Sequence, residues 1–288
     1  MYNQFYIIDA HCHIFPDEIA VASTEAVKDR YGHHAQTCGM VSELLRVGPA
    51  AGVDGFVVES VAIAPKLVRP LHQFVAGEVA KHPQQFIGLG TFHPLTKDPE
   101  GDVEDAVKHD LRGFKIHPDM QGFAADHPGY LKLYELCAAR RLPVLIHTGD
   151  ERYDFSNPDR MAWIYEHYPD TRFIGAHFSG YTLWKEATDK LSRFPNVVVD
   201  MSSTYQYMPL EDLIALIKIW GADRVLYGSD YPMETYGEDI QKLCDSCADP
   251  RTSGDSRKSM HNSGSSGLST QELHRIFSGN ALREFRIR

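Results

Sequence analysis

The chain has 288 residues, 43% hydrophobic and 24% charged, which supplies a large core and excludes disorder and fibrous repeats. Its 39 acidic side chains outnumber the 29 Lys and Arg, so the surface repels phosphate backbones and anionic membranes and neither nucleic acid nor a membrane is expected as a partner. No run reaches bilayer-spanning length, the opening residues lack a basic signal-peptide start, and five irregularly spaced cysteines read as reduced thiols, so a cytoplasmic protein is expected.

Eight short apolar runs recur along the chain, at residues 5–9, 54–58, 86–89, 113–116, 143–146, 172–175, 196–199 and 224–227. They are rich in Ile, Val, Leu or Phe without strict alternation, as in parallel strands buried on both faces. Helical spacing lies between them: Leu71, Phe74, Val75 and Val79, then Val103, Ala106, Val107 and Leu111, then Leu210, Leu213, Ile214 and Ile217. The run ends follow one another at 24–31 residues after a first interval of 49. That rhythm predicts an α/β fold, a (β/α)8 TIM barrel forming one domain over residues 1–288, because no Gly-rich phosphate loop follows Ile8 as it would in a doubly wound sheet. The long first interval predicts a loop or lid over the barrel mouth at residues 13–40, ahead of a helix near 41–51. His33 and His34 fall in it without an assigned role. Residues 248–267, dense in Ser, Gly, Asp and Arg, read as a flexible surface excursion before a closing amphipathic helix at 270–285.

In such a barrel the polar residues that end the strands converge on one pocket. Here they are His11 and His13, Glu59, His93, Lys115 and His117, His147, His177, Asp200 and Asp230. His11 and His13 are two apart on an extended segment, so both rings share a face; His147 and Asp230 bring a third imidazole and a carboxylate. Neutral imidazoles with a carboxylate suit zinc or another borderline divalent ion. Glu59, His93, His117 and Asp200 are pocket candidates, or partners that fix a ligand ring. Arg152, in the loop beyond His147, either reads an acidic substrate group or is a solvated loop residue.

The segments Asp9-Ala-His-Cys-His-Ile-Phe-Pro, Gly113-Phe-Lys-Ile-His-Pro, His147-Thr-Gly, Ala176-His-Phe-Ser-Gly and Tyr227-Gly-Ser-Asp-Tyr-Pro resemble the metal-dependent amidohydrolase superfamily, and within it the amidohydrolase-related (amidohydrolase 2) group. The resemblance implies His11, His13, His147 and Asp230 as metal ligands, with Asp230 also handling the proton of the attacking water. His177 matches a histidine that faces the substrate in single-metal members and ligates a second ion in two-metal members. Lys115 is implied either as a carboxylated bridge between two ions or as an ammonium for a substrate carboxylate. One divalent ion, or two, with zinc foremost, would lower the pKa of bound water towards ~7. The first reading is therefore a hydrolase attacking an amide, ester or lactone carbonyl of a small organic molecule. The alternatives are a non-oxidative decarboxylase on a small carboxylic acid and a catalytically silent ligand-binding barrel. Many barrels of this kind pair as homodimers, although no feature of the sequence demands it.

Overall fold

An apolar run without a polar face is stable as a strand only where both of its faces are covered, and the eight runs solve this by closing on one another. The structure, a computed structural model, describes residues 4–32, 37–234, 236–247 and 267–287. Its strands are β1 (Ile8–His13), β2 (Gly55–Glu59), β3 (Phe86–Gly88), β4 (Gly90–Thr91), β5 (Phe114–Ile116), β6 (Val144–Ile146), β7 (Phe173–Gly175), β8 (Val197–Asp200) and β9 (Val225–Leu226). All neighbours are parallel, in the orders β1-β2-β3 and β4-β5-β6-β7-β8-β9. β3 and β4 are two halves of one barrel strand: at the break the Leu89 N–H donates to the Val58 carbonyl (3.0 Å) and the Gly90 N–H to the Gly113 carbonyl (2.9 Å). Closure comes from the chain beyond β9, whose Tyr227 and Tyr231 carbonyls accept from the N–H groups of Ala10 (2.9 Å) and His13 (2.7 Å). The result is a (β/α)8 barrel.

Alternation along each strand sorts side chains into two cores. Ile8, Ala10, Val57, Leu89, Leu145, Ile174, Val198 and Leu226 fill the barrel interior, and Ala281 and Phe285 from the closing helix pack onto them. Phe56, Val58, Phe114, Ile116, Val144, Phe173 and Val197 face the surrounding helices. The first strand departs from expectation, because it runs to His13 instead of stopping at Asp9. Its polar half looks unlike a strand in sequence and is held as one by neighbours on both sides.

The long first interval holds two helices, Asp17–Tyr31 and Val41–Ala50. The first begins after Pro16 with Asp17 and Glu18, carries Lys28 and Arg30 in its last turn, and ends at Gly32 in the left-handed conformation (φ 69°), whose N–H returns to the Lys28 carbonyl (2.8 Å). Acid at the start, base at the end and a glycine stop are the chemistry of a self-terminating helix. His33 and His34, and all of the anticipated excursion at 248–267 except Gly267, lie outside the described residues. The closing helix starts on a Ser269–Glu272 capping box, passes through a π turn at Arg275–Gly279 and resumes at Asn280–Glu284. Among the described residues no helix is long and apolar enough to cross a membrane.

Candidate metal centre

Strand parity accounts for most of the site. Glu59, Lys115, His147 and Asp200 share the inward parity of Val57, Leu145 and Val198 and stand one layer above the barrel interior. β1 needs a correction, since Ile8 and Ala10 already point inward and His11 would point out; a register shift between Asp9 and Cys12 turns it back. Asp9 pins this bulge: it accepts from the His11 N–H (3.0 Å), the Ser229 N–H (3.0 Å) and hydroxyl (2.5 Å), and the Tyr236 hydroxyl (2.6 Å). Bulges beside active sites re-aim side chains in this way. His177 (φ 57°) and Asp230 (φ 68°) are both in the left-handed region, which costs energy for non-glycine residues and is sustained by the surrounding contacts.

His11 and His13 meet at the centre, their Nε2 atoms 3.2 Å apart. Asp230 Oδ1 lies 3.3 Å from His11 Nε2 and 3.5 Å from His13 Nε2, and Glu59 Oε1 lies 3.4 Å and 4.0 Å from the same two atoms. His11 Nδ1 faces Asp200 Oδ2 at 2.9 Å; a carboxylate only accepts, so the ring proton sits on Nδ1 and Nε2 presents a lone pair. Both Glu59 oxygens are buried without a hydrogen bond. The fully buried Lys115 ammonium approaches from beneath, 2.6 Å from His11 Nε2 and 3.3 Å from Glu59 Oε1. Its charge offsets the lone pair of His11 and the carboxylate of Glu59, but the His13 nitrogen and the Asp230 oxygen that converge on the same desolvated space still repel one another unless a second cation joins them. The residues therefore fit a divalent ion, with His11, His13, Asp230 and Glu59 as its nearest donors.

Burial raises the Glu59 carboxyl to about 7, with Lys115 and His11 pulling it back. Burial would raise Asp200 as well, but His11, His177 and the Ser202 hydroxyl hold it below the usual carboxylate range. Burial drives the His177 imidazole down to about 3, so that ring is neutral at pH 7. Its Nδ1 faces the Ser202 carbonyl at 2.9 Å and its Nε2 faces His147 Nδ1 at 3.1 Å. His147 is thus beside His177 rather than directly against the His11–His13 pair. Its other nitrogen, Nε2, is 3.2 Å from Asp119 Oδ2.

Above this layer opens a cavity of about 430 Å³ whose floor is His13, His117, His147, His177 and Asp230. Ile19, Ala22, Ser23, Ala26, Val27 and Tyr31 of the helix Asp17–Tyr31 form its roof at helical spacing, so the predicted lid is a helix. Phe15, Ile63, Leu67, Leu71, Met120 and Met233 make much of the wall. His117 stacks on His147 with ring centres 3.9 Å apart. Lys115, Glu59 and Asp200 lie under the floor, not in the cavity lining. Arg152 is outside it too: its guanidinium grips the buried Asp150 (2.9 and 2.7 Å) and lies over the Tyr31 ring, bracing the lid. His93 is buried away from the centre, its Nδ1 accepting from the Leu95 N–H at 3.2 Å and its ring against Phe123. Sequence reasoning overlooked Asp119 and Ser203; Asp119 carried a signal, since it follows His117-Pro at a strand end.

Eight parallel strands with a histidine and carboxylate layer at their C-terminal ends define a barrel enzyme of the metal-dependent type. A family model described as amidohydrolase matches residues 8–287, and the chain belongs to that family. No curated protein matches the sequence. Among solved structures, the fold is similar to an uncharacterised TIM-barrel protein, Bb4693, from Bordetella bronchiseptica (TM-score 0.75, 18% identity, covering 98% of this chain and 99% of that one). It is also similar to 5-carboxyvanillate decarboxylase LigW from Sphingomonas paucimobilis (TM-score 0.69, 18% identity, 99% and 100% covered). A third is dihydroxybenzoic acid decarboxylase from Polaromonas sp., with bound manganese and the inhibitor 2-nitroresorcinol (TM-score 0.68, 18% identity, 98% and 97% covered).

Proposed function

We propose that the chain is a metal-dependent decarboxylase acting on a small acid with a flat, largely apolar body. This reverses the order suggested by the sequence, in which hydrolysis came first. The observation that carries it is the distribution of polarity in the cavity. The histidines and Asp230 are gathered on the floor, much of the wall is aliphatic or methionine with Glu234, Tyr181 and Tyr207 among its polar members, and no Lys or Arg stands among the described lining residues. A molecule matched to it presents its carboxylate to the floor and an apolar ring to the walls, with no second anion calling for a basic partner. Loss of carbon dioxide disperses the charge of that carboxylate, and walls that exclude water favour the change. The similarity to a dihydroxybenzoic acid decarboxylase supports this choice.

His11, His13 and Asp230, with Glu59 and His147 beside them, would hold the ion, zinc for the imidazoles or manganese for the carboxylates. Bound there, it supplies a Lewis acid for the oxygens of the substrate. Asp230 is the proton carrier: the Ser203 hydroxyl donates to its Oδ2 (2.8 Å), leaving Oδ1 towards the centre. When the bond to the carboxylate breaks, its electron pair stays on the substrate carbon and takes a proton that Asp230, itself an ionised carboxylate, relays from a water, which is left as hydroxide. His177 is neutral and its Nε2 orients the substrate. One observation favours the second reading, hydrolysis of an amide, ester or lactone. His147 Nδ1 and His177 Nε2 face each other at 3.1 Å, and Lys115 is fully buried against His11 and Glu59, the elements of a second ion and a carboxylated lysine.

A panel of hydroxybenzoic acids assayed in deuterated water separates the two. Carbon dioxide release with deuterium on the vacated carbon is the expected result. An amide, ester or lactone panel that yields acid carrying oxygen from labelled water, with no carbon dioxide from any acid, would overturn it.

A further inference from the structure

The rings around the centre have their outward nitrogens occupied in different ways. His11 Nδ1 is held by Asp200 and His177 Nδ1 by the Ser202 carbonyl, each at 2.9 Å. For His147 the outward atom is Nε2, and what faces it is Asp119 Oδ2, 3.2 Å away, within ion-pair reach though off the line of a hydrogen bond. Asp119 is fully buried and neither of its oxygens has a hydrogen-bond donor. His147 is its ion-pair partner among the described residues. A carboxylate buried with no donor is expensive to keep, so its place in the fold calls for a cause.

The surrounding contacts fix where Asp119 sits. It occupies the short turn Pro118–Gln121, capped by His117, whose Nδ1 accepts from the Met120 N–H (3.3 Å). Arg30 of the lid helix donates to the Asp119 backbone carbonyl, not to its side chain. The His117 ring stacks on His147 at 12° between planes, which sets the plane of the His147 ring. Proton counting then gives the role. The His177 Nδ1 proton is directed to a carbonyl, so its Nε2 is a lone pair facing His147 Nδ1. A neutral His147 has one proton for two neighbours that both accept, Asp119 on one side and His177 on the other. A cation at the Nδ1 side resolves the conflict only if the proton is on Nε2.

We infer that Asp119 is the positioning residue of His147: it keeps the ring proton on Nε2 and so aims the Nδ1 lone pair at the metal centre. The inference rests on the metal-dependent reading above. It does not depend on whether the product is carbon dioxide or a hydrolysed acid, and its tests do not use turnover alone. Asp119 also forms a compact donor group with His117 and His147, but in this arrangement it acts through His147 and its removal weakens the centre, as loss of a partner of a metal-bound histidine does, by roughly 10–100-fold.

The test is a long-range proton–nitrogen NMR correlation of ¹⁵N-histidine-labelled, zinc-loaded protein, with the His147 signals assigned from His147→Gln, beside zinc affinity measured by chelator competition for the wild type, Asp119→Asn and Asp119→Glu. Expected are a wild-type His147 protonated on Nε2, zinc affinity weakened roughly 10–100-fold in Asp119→Asn, and partial recovery in Asp119→Glu. A proton on Nδ1 in the wild type overturns the inference even if both variants fail to fold. Loss of a whole equivalent of zinc in folded Asp119→Asn also overturns it, by making Asp119 a ligand, as does an affinity within twofold of wild type. Correct protonation and affinity with no carbon dioxide from any acid would count against decarboxylation alone.

Discussion

Asp230 shows how much chemistry one side chain draws from its neighbours. The Ser203 hydroxyl occupies one of its oxygens, its N–H is tied to the His11 carbonyl (3.0 Å), and its strained backbone sets the other oxygen between two imidazoles. Asp230→Asn keeps the shape and removes the proton carrier, so kcat is expected to fall by about 10²–10⁴-fold, measured by steady-state kinetics on whichever acid is turned over. A variant that kept wild-type kcat would remove Asp230 from the role of proton carrier. Most of these side chains were visible beforehand, because a polar residue ending an apolar run is a local pattern. Asp119 was not singled out, since its partner His147 comes from the neighbouring strand β6, 28 residues further along the chain, and the two meet only once β5 and β6 pair.

The elements are delimited by chemistry at their ends. The closing helix begins with Ser269, whose hydroxyl accepts from the Glu272 N–H (3.3 Å) while Glu272 accepts from the Ser269 N–H (2.7 Å) and from Lys218 Nζ (2.7 Å). Burial alone would raise the Glu272 pKa, but Lys218 and Ser269 together bring it from the ordinary 4.5 down to about 2. A lowered folded-state pKa means that the contribution is fully present above 4.5 and fades as the pH falls towards 2. Glu272→Ala is therefore expected to lose on the order of 1 kcal/mol at pH 7, and the gap from wild type in urea unfolding should narrow below pH 4.5. A gap that stays constant with pH would assign the loss to helix propensity instead. Periodicity located the eight barrel strands, and those helices it named, to within a few residues. It missed the extension of β1 to His13 and the π turn at Arg275–Gly279, because their support comes from distant chain, and the helix Asp17–Tyr31, whose end signals are local but whose buried face holds only Ala20 and Thr24.

The barrel as a unit brings together groups far apart in the chain, His11 with Asp200 across 189 residues and Asp9 with Ser229 across 220. An ion bound at such a junction ties several strands and stabilises the folded state by mass action, about 2.7 kcal/mol at a free concentration one hundred times its Kd. Stripping the protein with a chelator should lower Tm by roughly 5–10 °C, and zinc or manganese should restore it in a calorimetric scan. An unchanged Tm in protein shown to have lost its metal would argue against a centre that joins the strands.

The eight-strand rhythm, the paired histidines at His11 and His13 and the polar strand ends were legible in the linear chain, because burial on both faces and two-residue alternation leave local marks. The seating of the lid helix over the cavity, the bulge pinned by Asp9, the ammonium of Lys115 under the floor and the pairing of Asp119 with His147 were not. Each depends on which side chains meet when the barrel closes, and on how much water that closure removes. Those are properties of contacts between distant segments, for which no local pattern exists.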